Sequence, residues 1–169
     1  MPVDAIPQTV EGAGGPQQTS DAFPPPSLRA VALPIPRTQR LCAAGIAERV
    51  GLLGMAFLRP VLDVDDIYAL ERSRTRVDVG LWWRHAPLWL ILQSDAVHLV
   101  AWGRSTLGPR PWLQTVPLTA VQVTYNHVVG ALVIQDRDDD ETLPPPLGFD
   151  PVVGYQLWAD ITARCGQVD

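Results

Sequence analysis

The chain has 169 residues, 47% of them apolar and 18% charged, with a formal charge of −5. That suffices for one domain with a packed core and excludes a chain that is disordered throughout. All 13 basic residues are arginine, and an acidic, lysine-free chain speaks against nucleic-acid binding and against docking on anionic membranes.

Alanine, glycine, proline, valine and arginine are abundant, the mark of GC-rich coding, so arginine number alone carries no functional meaning. The first residues, "MPVDAIPQTVEGAGGPQQ", have neither a basic n-region nor an apolar h-region, and no secretory signal is expected. Residues 1–37 hold eight of the 17 prolines and no tryptophan or tyrosine. Such a segment buries too little apolar area to offset its ordering entropy. The expectation is a disordered, partly polyproline-II arm, inert or used as a docking peptide.

Residues 38–58, "TQRLCAAGIAERVGLLGMAFL", read as a helix with Thr38 as N-cap and Pro60 as stop. Ile46, Val50, Leu53 and Phe57 form its apolar stripe. Glu48 and Arg49 in the middle argue against a membrane span and for docking on the core or on another subunit. Residues 63–74, "DVDDIYALERSR", read as a second helix. Asp63 caps it, Asp65 and Asp66 lie at its positive end, and Arg72 and Arg74 at its negative end. These two helices make up an extension over 38–75.

From Arg76 the period becomes two. "RVDVGLW", "LWLILQ", "AVHLVAW", "WLQTV", "LTAVQVTY" and "ALVIQD" read as six strands parted by turn chemistry such as "QSD" and "NHVVG". Val97, Leu99 and Ala101 share one face, His98, Val100 and Trp102 the other. The chain closes with a helix capped by Asp150, with Pro151 in its first turn, Leu157 and Ile161 on its inner stripe, and Gly166 at its end. Strands joined by turns, then one amphipathic helix, imply an α+β, mainly β fold: an antiparallel meander covered by a C-terminal helix.

The strand order, the hairpin "LWLILQSDAVHLVAW" and the closing helix "DPVVGYQLWADITARC" resemble the pleckstrin-homology-like superfold in its bacterial, GRAM-like form. The likeness covers about residues 76–165, and Trp158 matches a tryptophan common in that helix. It implies a bent seven-stranded sheet or small barrel plugged by the helix. With six strands legible, one strand must be short. Relatives often bind phosphoinositide headgroups through basic residues around the first hairpin, where Arg84 and His85 fall. The spaced basic pair of the second strand is absent from "LWLILQ", which disfavours that activity.

Trp82 and Trp83 are neighbours on a strand and point to opposite faces. Trp89 and Trp102 lie on the next two strands, placed to pair with Trp82 and Trp83 across the sheet. Asp136, Asp138 and Asp140 have the spacing of a calcium loop, but Glu141 and Leu147 stand where glycine and glutamate are needed, leaving a solvated acidic turn. His85, His98 and His127 have no metal-site spacing. Cys42 and Cys165 read as two thiols in a reducing compartment, or as one bridge between first and last helix. There is no P-loop, dinucleotide fingerprint or nucleophile elbow, and no cofactor is expected. The reading is a cytoplasmic, non-enzymatic binding or scaffolding module with a protein partner, using Trp82, Arg84 and His85. A lipid-headgroup module is the alternative, and a metal-dependent enzyme using the acidic turn the second alternative. The sequence sets no oligomeric state.

Overall fold

The computed structural model describes residues 34–78, 85–102, 112–137 and 145–166. Helix α1 spans Ala43–Leu58 and helix α2 spans Pro151–Cys165. Between them the described residues form seven strands: β1 (Ala69–Val77), β2 (Ala86–Leu92), β3 (Ala96–Ala101), β4 (Trp112–Pro117), β5 (Val121–Asn126), β6 (Ala131–Asp136) and β7 (Leu147–Gly148). They form two antiparallel sheets, ordered β1-β2-β3-β4 and β5-β6-β7. Among the described residues the arrangement is an open pair of sheets, not a closed barrel. The short strand that the resemblance requires is β7, with two residues.

The second predicted helix does not form. Asp63 caps only a single 3₁₀ turn, Val64–Asp66, by accepting from the Asp65 N–H at 3.0 Å. The chain is then drawn into the sheet, beginning with Tyr68 N–H to the Leu92 carbonyl at 2.8 Å. Residues 69–77 become β1, paired with β2 in the register Leu70↔Ile91 and Arg72↔Trp89. A ladder against a buried neighbour outweighs local helix propensity and dipole-matched charges. β1 ends at Val77, and the rest of the strand expected to reach Trp83, residues 79–84, lies outside the described residues.

β2 is apolar on both faces, and β3 on both but for buried His98, because each face is covered. Leu88, Leu90 and Leu92 with Val97, Leu99 and Ala101 point into the core between the sheets. Val116, Leu118, Leu132, Ile134, Leu157 and Ile161 complete that core. The opposite face carries Ile91 and Val100, packed with Leu70, Ile67, Ile46, Met55 and Leu58 in a second cluster under α1. The first helix therefore docks within its own chain. This double burial explains why "LWLILQ" is a continuous apolar run rather than an alternating one.

Two details of α1 differ from expectation. Its N-cap is Cys42, whose sulfur accepts from the Gly45 N–H at 3.4 Å, because Thr38 lies in an extended segment ahead of it. Gly51, at φ 72° and ψ 176°, breaks the helical phase, a conformation open only to glycine. After the break the inward residues are Gly54, Met55 and Leu58, while Leu53 is 37% exposed and Phe57 half-buried. α2 forms as expected, with the Asp150 carboxylate accepting from the Val152 N–H at 3.1 Å and Leu157 and Ile161 fully buried against the sheets.

The two sheets meet where Leu118–Ala120 carries the chain across, and again along β1 and β7. The second seam has no backbone ladder. Ser73 Oγ donates to the Gly148 carbonyl at 3.1 Å, the Gly148 N–H donates to Thr75 Oγ1 at 2.9 Å, and Thr75 Oγ1 donates to the Pro146 carbonyl at 2.8 Å.

Candidate functional site

The seam orders β1. Ser73 and Thr75 spend their hydroxyls on β7, and Arg72, Arg74 and Arg76 alternate with them and are exposed. Among the described residues neither Arg72 nor Arg76 has a carboxylate partner. Arg74 reaches Asp150 Oδ2 only at 4.0 Å, with 73% of its side chain exposed, a separation that contributes little in water. Three guanidinium groups thus concentrate positive charge on one strand of an acidic chain.

Aromatic surface adjoins them. Arg72 stands opposite Trp89 in the β1–β2 register. Trp89 stacks on Trp102 across the β2–β3 pair, ring centroids 5.3 Å apart and planes 10° from parallel; the expected pairing of these two with Trp82 and Trp83 falls on residues outside the described ones. Both are half-buried and border the cluster under α1. The close approach depends on Gly54: a Cβ there would lie 3.0 Å from Trp102 Cζ2. Arg76 stands opposite Pro87, and His85 is exposed just before β2. Of the expected contact residues, only His85 is described. Trp82 and Arg84 lie outside the described residues, as do Asp138, Asp140 and Glu141 of the acidic turn. β1's arginines escape a helical reading of 63–74, although their i, i+2, i+4 spacing in "RSRTR" is itself a strand signal.

The histidines are not brought together. His98, 6% exposed, bridges Thr115 Oγ1 (Nδ1, 2.9 Å) and Gln93 Oε1 (Nε2, 2.8 Å). Gln93 in turn donates to the Asp63 carbonyl at 2.6 Å, fastening the 3₁₀ turn to the sheet. Burial lowers the His98 pKa, with Asp95 acting in the opposite sense, so the ring is a neutral structural link. His127 is exposed in the β5–β6 turn. Cys42 and Cys165 are free thiols, the first exposed and the second half-buried, where burial raises its pKa and Arg137 acts to lower it. Among the described residues no three His, Cys, Asp or Glu side chains gather as a metal site. None of their helices is long and apolar enough to cross a membrane.

Four antiparallel strands, three more in a second sheet, and a C-terminal helix laid against the core form an α+β, mainly β fold, with a basic and aromatic surface on its first strands. No family model and no curated protein matches the chain. Among solved structures it is similar to the N-terminally truncated linker-DH/PH domains of p115-RhoGEF, with a TM-score of 0.46 and 11% identity over 79% of this chain and 38% of that one. It is also similar to the DH/PH domains of PDZ-RhoGEF in their complex with GTP-γ-S-activated RhoA, with a TM-score of 0.41 and 14% identity over 77% of this chain and 38% of that one. The chain spans 38% of the length of each.

Proposed function

We propose that this chain is a non-enzymatic binding module that presents its first hairpin to an acidic protein partner. The observation that supports this reading is the run Arg72, Arg74 and Arg76, exposed on β1 beside the Trp89–Trp102 stack. Arginine and tryptophan are the residues that most often anchor protein contacts, and a guanidinium receives a carboxylate in a bidentate fork. Trp82, Arg84 and His85, which the sequence places between β1 and β2, are further contact residues in this reading. Two free thiols fit a cytoplasmic setting.

The arginines also give an anionic lipid headgroup something to bind, and this is the second reading. Against it stand the formal charge of −5 and the absence of any basic side chain on β2. The third reading, a metal-dependent enzyme built on the acidic turn, has no second observation beside it.

A charge-reversed chain, R72E/R76E, separates the readings. Both residues are exposed, so the variant is expected to melt within about 0.5 kcal/mol of the parent. Proteins cross-linked to the parent at low salt, identified by mass spectrometry, are expected to be acidic and to vanish with the variant. Binding of the parent to phosphatidylserine-containing vesicles, weakened by salt, with no protein lost from the variant, would overturn the proposal.

A further inference from the structure

Ahead of α1, residues 35–41 lie in a groove between α2 and β1, and the contacts there are those of a bound peptide. Three side chains of α2 read the main chain in turn. Gln156 Nε2 donates to the Ile35 carbonyl at 2.8 Å, Asp160 Oδ1 accepts from the Arg37 N–H at 2.7 Å, and Arg164 Nη2 donates to the Arg37 carbonyl at 2.8 Å. Their spacing of four residues puts them on one helical face, as donor, acceptor and donor, matching the alternation of C=O, N–H and C=O along an extended chain.

The Arg37 side chain is read as well. Arg37 Nη1 meets Glu71 Oε1 of β1 at 3.0 Å, and its Nε faces Asp160 Oδ2 at 3.4 Å, an ion-pair distance without hydrogen-bond geometry. The Asp160 side chain is 0% exposed, and Gln156 Nε2 holds its Oδ1 at 2.9 Å. A buried carboxylate needs a cation, and among the described residues Arg37 is the one that reaches it. The Ile35 side chain, by contrast, is 86% exposed and unread. Pro34 and Pro36 on either side of Ile35 favour the extended form that the ladder accepts. Beside the segment a cleft of 550 Å³ remains open, lined by Ile35, Pro36, Thr38, Tyr68, Ser94 and Arg164.

An apolar strap would be held by buried side chains. Ile35–Arg37 is held by main-chain polar groups and the Arg37 side chain, the grammar of peptide recognition, while further along Arg40 pairs with Asp66 at 2.9 Å and donates to Tyr68 Oη at 3.2 Å. We infer that the α2–β1 groove is a recognition site for an extended proline–arginine peptide, filled in cis by Ile35–Arg37. A partner's peptide of the same chemistry competes for it. The tether gives the resident segment an effective concentration on the order of millimolar, so a free peptide meets a closed site in the native chain.

The probe is the peptide Leu-Pro-Ile-Pro-Arg-Thr-Gln, the sequence of residues 33–39, and the host is the full-length Arg37→Ala chain. The peptide is expected to raise the variant's melting temperature and to bind it at least about tenfold more tightly than it binds the parent. The same peptide with arginine replaced by alanine is expected to do neither, and the double variant R37A/D160N is expected to bind neither peptide. A folded Arg37→Ala chain that ignores the arginine peptide, or takes both peptides equally, overturns the inference. Should that variant not fold, the parent is irradiated with a peptide carrying a photoreactive phenylalanine at the place of exposed Ile35, supplied above the roughly millimolar effective concentration of the resident segment so that it exchanges into the groove. Adducts on α2 that the arginine peptide suppresses and the alanine peptide does not support the site; adducts elsewhere refute it.

Discussion

His98 shows what a single buried polar residue asks of its surroundings. Its ring is satisfied on both nitrogens by Thr115 and Gln93, and burial disfavours the charged form. The folded-state pKa therefore lies below the ordinary 6.5, and the unfolded chain takes up the proton first. Stability is complete above that value and declines as pH falls through it toward the folded pKa. Urea midpoints measured from about pH 7.5 down to about pH 5.5 are expected to drop, and His98→Gln is expected to flatten that dependence while lowering the midpoint at neutral pH. That His98 turns to the face opposite Leu99 was legible from alternation; that Thr115 and Gln93 wait there was not, since cross-strand partners follow from register. Asp160 was less legible still. In "LWADITARC" it reads as an ordinary helical aspartate, and only the extended segment more than a hundred residues earlier makes its burial tolerable.

At the level of elements, strands parted by recognisable turns were the most readable. "QSD" does turn β2 into β3, with the Gln93 N–H bonded to the Ala96 carbonyl at 2.9 Å, and "NHVVG" ends on Gly130 at φ 65°. β1 was misread because its start satisfies every local rule for a helix, and the rule that decides, an unfilled edge of β2, is not local. β7 was missed because two residues carry no period. α1 was readable as a helix but not as a kinked one. Its second half turns Gly54 toward Trp102, where an added Cβ would meet Val50 Cβ at 2.6 Å and Trp102 Cζ2 at 3.0 Å. Gly54→Ala is expected to cost about 1–3 kcal/mol in chemical denaturation. The helix must also lift from the Trp89–Trp102 stack, which tryptophan fluorescence will register as a red shift.

For the molecule as a whole, the closing helix was the most consequential expectation. Leu157 and Ile161 fill the space between the sheets, and Gln156, Asp160 and Arg164 hold the segment ahead of α1. Removing residues 150–169 is expected to leave a chain that elutes in the void volume and melts without a cooperative transition; a soluble, cooperatively melting product would show that the sheets close without it. The layering of α1 outside and α2 beneath could not be read from periodicity, since it depends on both faces of β2 and β3 being buried at once. Along β1 and β7 the fabric of the domain is stitched rather than woven. Two hydroxyl groups do the work that a continuous row of amides does elsewhere, so this is the line along which the halves would part first, and the threonine and serine that guard it hold more of the architecture than their size implies.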